Sequence, residues 1–286
     1  MRKIIFILKT PVRLNLKQNR LVINEEISIP FGAFDAICIV ANGSLTLPLI
    51  KKLLSRNKII VFSNSYFNVY GQFIPNNIQS FSLKIRKYQY VNMEKEEEKS
   101  SLCYLLLRDK FELSKELFPE IAEIEVNYFN LLLSKNFLQA DALLMKNLYK
   151  NLRKYFDFSK REYNPPSDKI NAILSFLYTS LYALSIKLCI VNNLDPYVGF
   201  FHIRRGEHAT LASDLMEILR PFVIKFLINN KQSVDNIGYI NNKLDPETLS
   251  KVYELFLEEI IDKRKYEYIQ NFIIKNFYNR IYKNYE

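Results

Sequence analysis

The sequence has few cysteines. Its three cysteines, Cys38, Cys103 and Cys189, lie far apart along the chain, and their number is odd. This arrangement excludes a disulfide framework and the usual zinc-binding spacings, and it favours a reducing compartment such as the cytoplasm. Each cysteine has apolar neighbours, so we expect all of them to be buried in the core.

Several familiar functional patterns are also absent. The chain has no P-loop, no dinucleotide-binding fingerprint, no serine-nucleophile elbow and no internal repeat. The apolar run after Met1 is short and lacks a signal-peptide cleavage site. The most apolar long segment, residues 170–191, includes Asn171 and Lys187, a polar content too high for a comfortable membrane span. We therefore expect a buried helix there and no membrane association.

Positive charge is the chain's main compositional excess. Forty Lys and Arg residues against thirty Asp and Glu give a formal net charge of +10. This excess suits a polyanionic partner such as nucleic acid. A generally basic proteome encoded by an AT-rich genome would give the same excess, because Lys, Asn, Ile and Tyr are all abundant. Charge alone does not separate these two interpretations.

The pattern of the chain predicts an α+β fold with a small β-rich N-terminal domain and an all-α C-terminal domain. Residues 1–85 hold short runs rich in Ile, Val and Phe between turn residues, and half of the six glycines lie there. Residues 86–99 contain a charge run and are predicted to be a linker. The strands are expected over 3–9, 20–24, 36–40, 59–62 and 67–73, with a helix over 46–54 capped by Ser44.

Helical periodicity dominates residues 100–286. The segment 136–158 is predicted to place Leu144, Leu148 and Leu152 on one face. Its opposite face is basic, which makes that face a candidate for binding DNA through Lys146, Lys150, Arg153 and Lys154. The adjacent prolines at 165 and 166 require a loop before the next helix.

The chain's two histidines, His202 and His208, fall in one stretch with Asp214 and Glu217. The two carboxylates are three residues apart, which puts them on one face if residues 212–219 are helical. Imidazole with paired carboxylates suits Mg²⁺ or Mn²⁺. The alternatives are solvated carboxylates, or an ion pair between Glu217 and Arg220 one helical turn further along.

The order of several short segments resembles the CRISPR-associated integrase family (Cas-one), and the resemblance covers nearly the whole chain. In the C-terminal half it rests on Pro165-Pro166, Asn171–Ser175, Leu194–His202 and Leu211–Pro221. In the N-terminal half it rests on Ile29-Pro30, Gly43–Thr46, Ile59–Phe62 and Gly71, with Arg86 and Gln89 at the junction.

The resemblance implies a metal-dependent DNA endonuclease and strand-transferase that inserts new spacers into a CRISPR repeat array during antiviral defence. The implied reaction is attack of a 3′-hydroxyl on a phosphodiester. The implied partners are double-stranded DNA (protospacer and repeat), a second copy of the chain in a homodimer, and a small ferredoxin-like protein (Cas-two). The implied catalytic residues and ligands of Mg²⁺ or Mn²⁺ are His202, Glu217 and Asp214. Candidate contacts to DNA near them are Arg204, Arg205 and His208.

One expected ligand is missing from this sequence. The family's glutamate falls at Leu148, and the sequence has no Glu between Glu125 and Glu162. Asn147 or Asn151 offers at most a weaker oxygen ligand. A site with less negative charge holds a hard cation less well. Two hypotheses follow: an active integrase, or a catalytically impaired, DNA-binding scaffold of the same family. A third is an unrelated basic helical protein.

Overall fold

Two four-stranded sheets and one helix form the N-terminal part of the chain. The structure is a computed structural model that describes residues 3–75, 80–163, 165–202 and 208–279, without the side chains of residues 80–82. The elements of this part are β1 (Lys3–Ile7), β2 (Val12–Lys17), β3 (Arg20–Ile23), β4 (Ile27–Pro30), β5 (Phe34–Ile39), β6 (Gly43–Leu45), α1 (Leu47–Ser55), β7 (Ile59–Ser63) and β8 (Val69–Phe73).

In the first sheet, the two central strands β5 and β7 are buried on both faces, which explains their continuous apolar sequences. Its order is β1-β5-β7-β8, with β1, β5 and β7 parallel and β8 antiparallel to β7. Successive side chains of a strand point to opposite faces. Ile37 and Ile39 accordingly pack in one core with Leu49 of α1, whereas Ala36 and Cys38 pack in the core that contains the helices.

The second sheet has the order β4-β3-β2-β6. Strand β6 pairs with β2, opposite Leu14 and its neighbours, and this pairing extends through Leu45. Ser44 is therefore a strand residue and does not cap α1, contrary to the prediction, and Thr46 takes the N-cap position. The predicted strands are present with shifted ends, and β2, β4 and β6 were not predicted.

The remainder of the chain is mainly helical, which confirms the predicted fold class. Its helices are α2 (Ser80–Met93), α3 (Glu96–Leu117), α4 (Glu125–Leu133), α5 (Phe137–Arg153), α6 (Lys169–Val191), α7 (Thr210–Met216), α8 (Arg220–Asn229), α9 (Lys231–Asp235), α10 (Pro246–Leu257) and α11 (Glu267–Ile273). Short 3-10 segments span Phe31–Ala33, Pro119–Ile124 and Glu217–Leu219; single π-helical turns, Glu258–Asp262 and Ile274–Tyr278, follow α10 and α11; and a small ribbon joins β9 (Tyr239–Ile240) to β10 (Lys243–Leu244).

Helices occupy most of the segment that was predicted to be a linker. Helix α2 ends at Met93 and α3 begins at Glu96, so only a short turn interrupts residues 86–99. Glu96, Glu97 and Glu98 of this run lie in the first turn of α3, where the helix dipole stabilises negative charge. The division into separate domains at this point stays a prediction.

Helix α6 is the centre of the helical part. Asp168 caps it by accepting a hydrogen bond from the backbone N–H of Asn171 at 2.7 Å. The helix is long and apolar enough to cross a membrane, but 94% of its most apolar stretch is buried inside the protein. This confirms the prediction of a buried helix and is consistent with a soluble protein. The three cysteines are buried as well, as predicted.

The first sheet and the helices share one core. Ile4, Cys38 and Val61 of the sheet belong to the same apolar cluster as α6. Hydrogen bonds reinforce this contact: Thr179 donates to the carbonyl of Phe67 at 2.7 Å, and the Tyr253 hydroxyl donates to the carbonyl of Ile4 at 3.1 Å. The helices are thereby fixed relative to the sheet, and α7 lies against α6.

Candidate functional site

Asp214 on α7 holds the segment of chain that ends at His202. Its carboxylate is fully buried. One oxygen accepts hydrogen bonds from the backbone N–H groups of Phe200 and Phe201 at 2.7 and 3.1 Å. The other accepts from the backbone N–H and from Nδ1 of His202, both at 2.8 Å. Both oxygens of Asp214 are therefore engaged in hydrogen bonds that hold residues 200–202 in place.

This contact orients the imidazole of His202. A carboxylate only accepts hydrogen bonds, so Nδ1 carries a hydrogen and Nε2 is left for other contacts. Nε2 lies 3.7 Å from an oxygen of Glu217, and the His202 side chain is 38% exposed. Burial lowers the pKa of His202, but the hydrogen bond to Asp214 and the charges of Glu217 and Asp214 outweigh it, so the pKa lies above its ordinary value.

Glu217 lies between two basic side chains. It follows α7 in the 3-10 segment and is 1% exposed. One oxygen accepts from Nη1 of Arg220 and the other from Nζ of Lys110, each at 2.6 Å. Burial would raise the pKa of Glu217, but Arg220, Lys110 and His202 together lower it to about 2. The sequence-based alternative, an ion pair with Arg220, is confirmed.

Lys110 belongs to the site, although the sequence analysis did not identify it as a site residue. It lies on α3, is completely buried, and binds Asp141 of α5 at 2.5 Å in addition to Glu217. Its position between buried Leu106 and Ser114 on the inner side of α3 was the available signal. A lysine at such a position needs a buried carboxylate as partner, because an unpaired buried charge is costly.

Leu148 packs in the core of the helical part, as its place on the apolar face of α5 predicted. It is completely buried and belongs to the same apolar cluster as α6. Asn151, a suggested substitute ligand, accepts a hydrogen bond from Lys154 at 2.7 Å. Asn147, the other, donates its amide to the carbonyl of Leu143 at 2.9 Å.

As they are placed here, the candidate ligands do not fit a divalent cation. Asp214 has both oxygens occupied by N–H groups, and Glu217 is neutralised by two cations within 2.6 Å. Leu148 contributes no oxygen. Across the described ranges of the chain, no group of three or more His, Cys, Asp or Glu side chains could hold a metal ion. A hard cation requires several oxygen ligands and a negative site, which this arrangement does not provide.

The predicted DNA contacts fall in three places. Lys146, Lys150, Arg153 and Lys154 are all exposed on one side of α5, and Lys154 also lies near a carboxylate, that of Glu120, at 3.8 Å. His208 stacks on Tyr182 with ring centroids 4.8 Å apart, and its Nε2 lies 2.5 Å from the Ser213 hydroxyl. Burial lowers the pKa of His208. Arg204 and Arg205 lie outside the described residues.

The sequence matches the family described as "CRISPR associated protein Cas1" over residues 5–128 and 138–255. The chain belongs to the Cas1 family. A CRISPR-associated endonuclease Cas1 of Methanospirillum hungatei is 24% identical over 259 residues, which is 84% of this chain and 74% of that protein. One of Leptospira interrogans is 38% identical over 116 residues, which is 37% of this chain and 46% of that protein.

Solved structures share the fold. A CAS1 protein from Thermotoga maritima has a TM-score of 0.77 at 18% identity, with 96% of each chain covered. A casposase bound to an integration product has a TM-score of 0.73 at 18% identity, covering 96% of this chain and 83% of that one. A chain of a Cas6-RT-Cas1–Cas2 complex has a TM-score of 0.73 at 15% identity, covering 91% of this chain and 32% of that one.

Proposed function

We propose that this Cas1-family chain acts in CRISPR-associated DNA integration as a DNA-binding subunit whose own centre is impaired for metal-dependent strand transfer. The observation that supports impairment most directly is the pairing of Glu217 with both Lys110 and Arg220; the residue at the position of the missing glutamate, Leu148, is apolar and fully buried. An ammonium and a guanidinium group already neutralise the carboxylate that the resemblance assigns to a metal. Binding of DNA does not depend on that carboxylate, because basic side chains provide it.

The second candidate is an active, Mg²⁺- or Mn²⁺-dependent endonuclease and integrase. The contact that favours it is the 3.7 Å separation between Nε2 of His202 and Glu217, with Asp214 binding Nδ1 so that Nε2 faces Glu217. When bound, a divalent ion would polarise the attacked phosphodiester. His202 and Glu217 would hold it, and Glu217 would first have to exchange a basic partner for the ion.

A strand-transfer assay with Leu148→Glu tests the proposed impairment. Purified protein is incubated with Mn²⁺, a duplex with a 3′-hydroxyl and a supercoiled plasmid that carries a repeat. We expect few or no products from the natural chain, and a gain of products and of Mn²⁺ affinity with Leu148→Glu. Leu152→Glu is the matched control, because Leu152 is equally buried on the same face of α5 one turn further along.

Three outcomes of this assay are informative. Products from the natural chain that disappear with His202→Ala would establish the active integrase. Products that persist with both His202→Ala and Glu217→Ala would place the chemistry elsewhere. No gain with Leu148→Glu, when the variant is folded, would show that Leu148 does not occupy the position of the missing ligand.

The proposed partners are double-stranded DNA, a second copy of the chain and a small Cas2-type protein. Support for the Cas2-type protein comes from the similarity of the fold to part of a chain of a Cas6-RT-Cas1–Cas2 complex. Support for DNA comes from the net charge of +10 and from the exposed basic face of α5.

Replacement of Lys146, Lys150 and Arg153 by Gln should weaken duplex binding and lower its salt dependence. The slope of log affinity against log salt concentration should fall by about 0.9 for each phosphate that the variant no longer neutralises. Replacement of Lys51, Arg56 and Lys251, which are exposed on other elements, is the control with the same change of charge.

A further inference from the structure

An open cavity of about 500 Å³ lies where the two sheets meet the helices. Its wall is formed by the end of β1, by β2, by the β3–β4 hairpin, by Phe176 of α6 and by α10. None of the described residues of this wall belongs to the candidate site around His202. Both the volume of the cavity and its position, between the N-terminal sheets and the helical part, are typical of a site for a small molecule.

The less exposed part of the wall is apolar and includes three aromatic rings. The rings of Phe6, Phe176 and Tyr253 pack against one another, with centroids 4.4, 4.9 and 5.1 Å apart. Leu249, which is 1% exposed, extends this apolar surface along α10. Transfer of apolar groups from water to such a wall is favourable, so the cavity suits a ligand with an aromatic or aliphatic body.

The exposed part of the wall has an excess of negative charge. Glu26 of the β3–β4 turn and Glu247 of α10 are both exposed, and Lys9 is the one basic residue among the described residues of the wall. Lys9 also lies close enough to Asp245, the N-cap residue of α10, to interact with its charge. Neither glutamate side chain has an ion pair or a hydrogen bond with another described residue. Two carboxylates are therefore available to a ligand of this cavity.

We propose that this cavity binds a small organic cation, in which an ammonium group is attached to an aromatic or aliphatic body. The body would pack against the apolar part of the wall, formed by Phe6, Phe176 and Leu249. Glu26 and Glu247 would accept charge-assisted hydrogen bonds from the ammonium group. A ligand of the opposite charge would be repelled by the same carboxylates. The inference goes beyond the proposed function, because it requires neither DNA nor a metal ion and concerns other residues.

Three probes of similar shape and different charge test the proposal on the full chain: 2-phenylethylammonium, 2-phenylethanol and phenylacetate. Dissociation constants are measured by NMR titration at neutral pH and constant ionic strength. The melting temperature is measured at the same concentrations, because a ligand that binds only the folded chain raises it. We expect saturable binding of 2-phenylethylammonium, about fivefold tighter than that of 2-phenylethanol, since an exposed ion pair contributes little more. Phenylacetate should bind most weakly of the three.

Glu26→Gln combined with Glu247→Gln should remove the preference for the ammonium probe and leave the affinity for 2-phenylethanol unchanged. Both residues are exposed, so the double variant should fold normally. Glu94→Gln combined with Glu254→Gln is the matched control, because these two residues are exposed outside the cavity wall and the change of charge is the same. A preference for the ammonium that survives the first pair of substitutions, or no saturable binding of it to the natural chain, would overturn the proposal.

Ser250→Phe tests whether the probes enter the cavity itself. Ser250 is an exposed residue of the wall, so a larger side chain there should occupy the cavity without disturbing the core. We expect this variant to keep its unliganded melting temperature and to lose the binding of both 2-phenylethylammonium and 2-phenylethanol. Lys251→Phe is the control, because the neighbouring lysine is exposed but does not line the cavity. Equal affinities of the two variants for the ammonium probe would contradict the proposal.

Discussion

One oxygen of Asp214 accepts hydrogen bonds from both the backbone N–H and the ring Nδ1 of His202, each at 2.8 Å. A single carboxylate thereby sets the path of the chain and the orientation of the imidazole. Asp214 is placed to act as a positioning residue, although the resemblance assigns it to a metal.

Asp214→Asn should therefore reduce stability strongly. The amide keeps the shape of the side chain but presents N–H groups to backbone N–H donors, so part of the hydrogen bonding around residues 200–202 is lost. We expect a loss of about 3 kcal/mol in the free energy of unfolding, measured in urea. Asp109→Asn, which affects a half-exposed ion pair with Arg108, should cost less than about 1 kcal/mol. Similar losses from the two variants would contradict this role.

Gly199→Ala should also destabilise the segment before His202. A Cβ at Gly199 would lie 2.6 Å from an oxygen of Asp214 and 2.8 Å from the backbone N of Leu211. Neither group can move without breaking hydrogen bonds, so we expect a loss of about 1–3 kcal/mol. Gly71→Ala is the control, because a Cβ there meets nothing within 4 Å. A tolerated Gly199→Ala would show that this segment has room to shift.

Removal of Lys110 should cost more than removal of an exposed lysine. Lys110→Met leaves Asp141 without its close lysine partner and removes one of the two cations that bind Glu217. Breaking a buried ion pair from one side typically costs about 3–5 kcal/mol. Lys115→Met, on the same helix with partly exposed partners, should cost clearly less, because solvent screens an exposed ion pair. Lys110→Met combined with Glu217→Gln should recover part of the loss, and the absence of any recovery would argue against the pairing.

The stability of the protein should fall in acid through Glu217. Its pKa of about 2 in the folded state lies below the ordinary value of 4.5, so ionised Glu217 stabilises the fold fully above pH 4.5. That contribution, on the order of 3 kcal/mol, is lost as the pH falls from 4.5 through 2. Urea denaturation at several pH values measures it. Glu217→Gln should flatten the profile in this range, and an unchanged slope would contradict the assignment.

The fold class and several elements could be predicted because their signals are local. The continuous apolar runs of β5 and β7, and the capped apolar helix α6, depend on neighbouring residues alone. Strand β2 alternates buried Val12 and Leu14 with exposed Arg13, so its signal was present in the sequence. Strands β4 and β6 are short and largely exposed, so their pattern carries little information.

The candidate site could be predicted only in part, because its decisive contact is distant in sequence. The pairing of Glu217 with Arg220 follows from a spacing of three residues. The pairing of Glu217 with Lys110 joins residues 107 positions apart and depends on how α3 packs against the turn after α7. Likewise, the composition of the site did not reveal that Asp214 uses its oxygens to bind backbone N–H groups. The assignment of these residues as metal ligands stays a prediction. The N–H groups that bind Asp214 and the basic side chains that bind Glu217 argue against it.

The core shared by the first sheet and the helices limits how far the two halves of this protein can be altered separately. Ile4, Cys38 and Val61 pack in the same apolar cluster as α6, so either half alone would expose apolar side chains to water. A fragment ending near residue 85 should aggregate, and a chimera joining this sheet to a relative's helices should fold only if the facing side chains are exchanged with it. The two halves should therefore fold together as one cooperative unit.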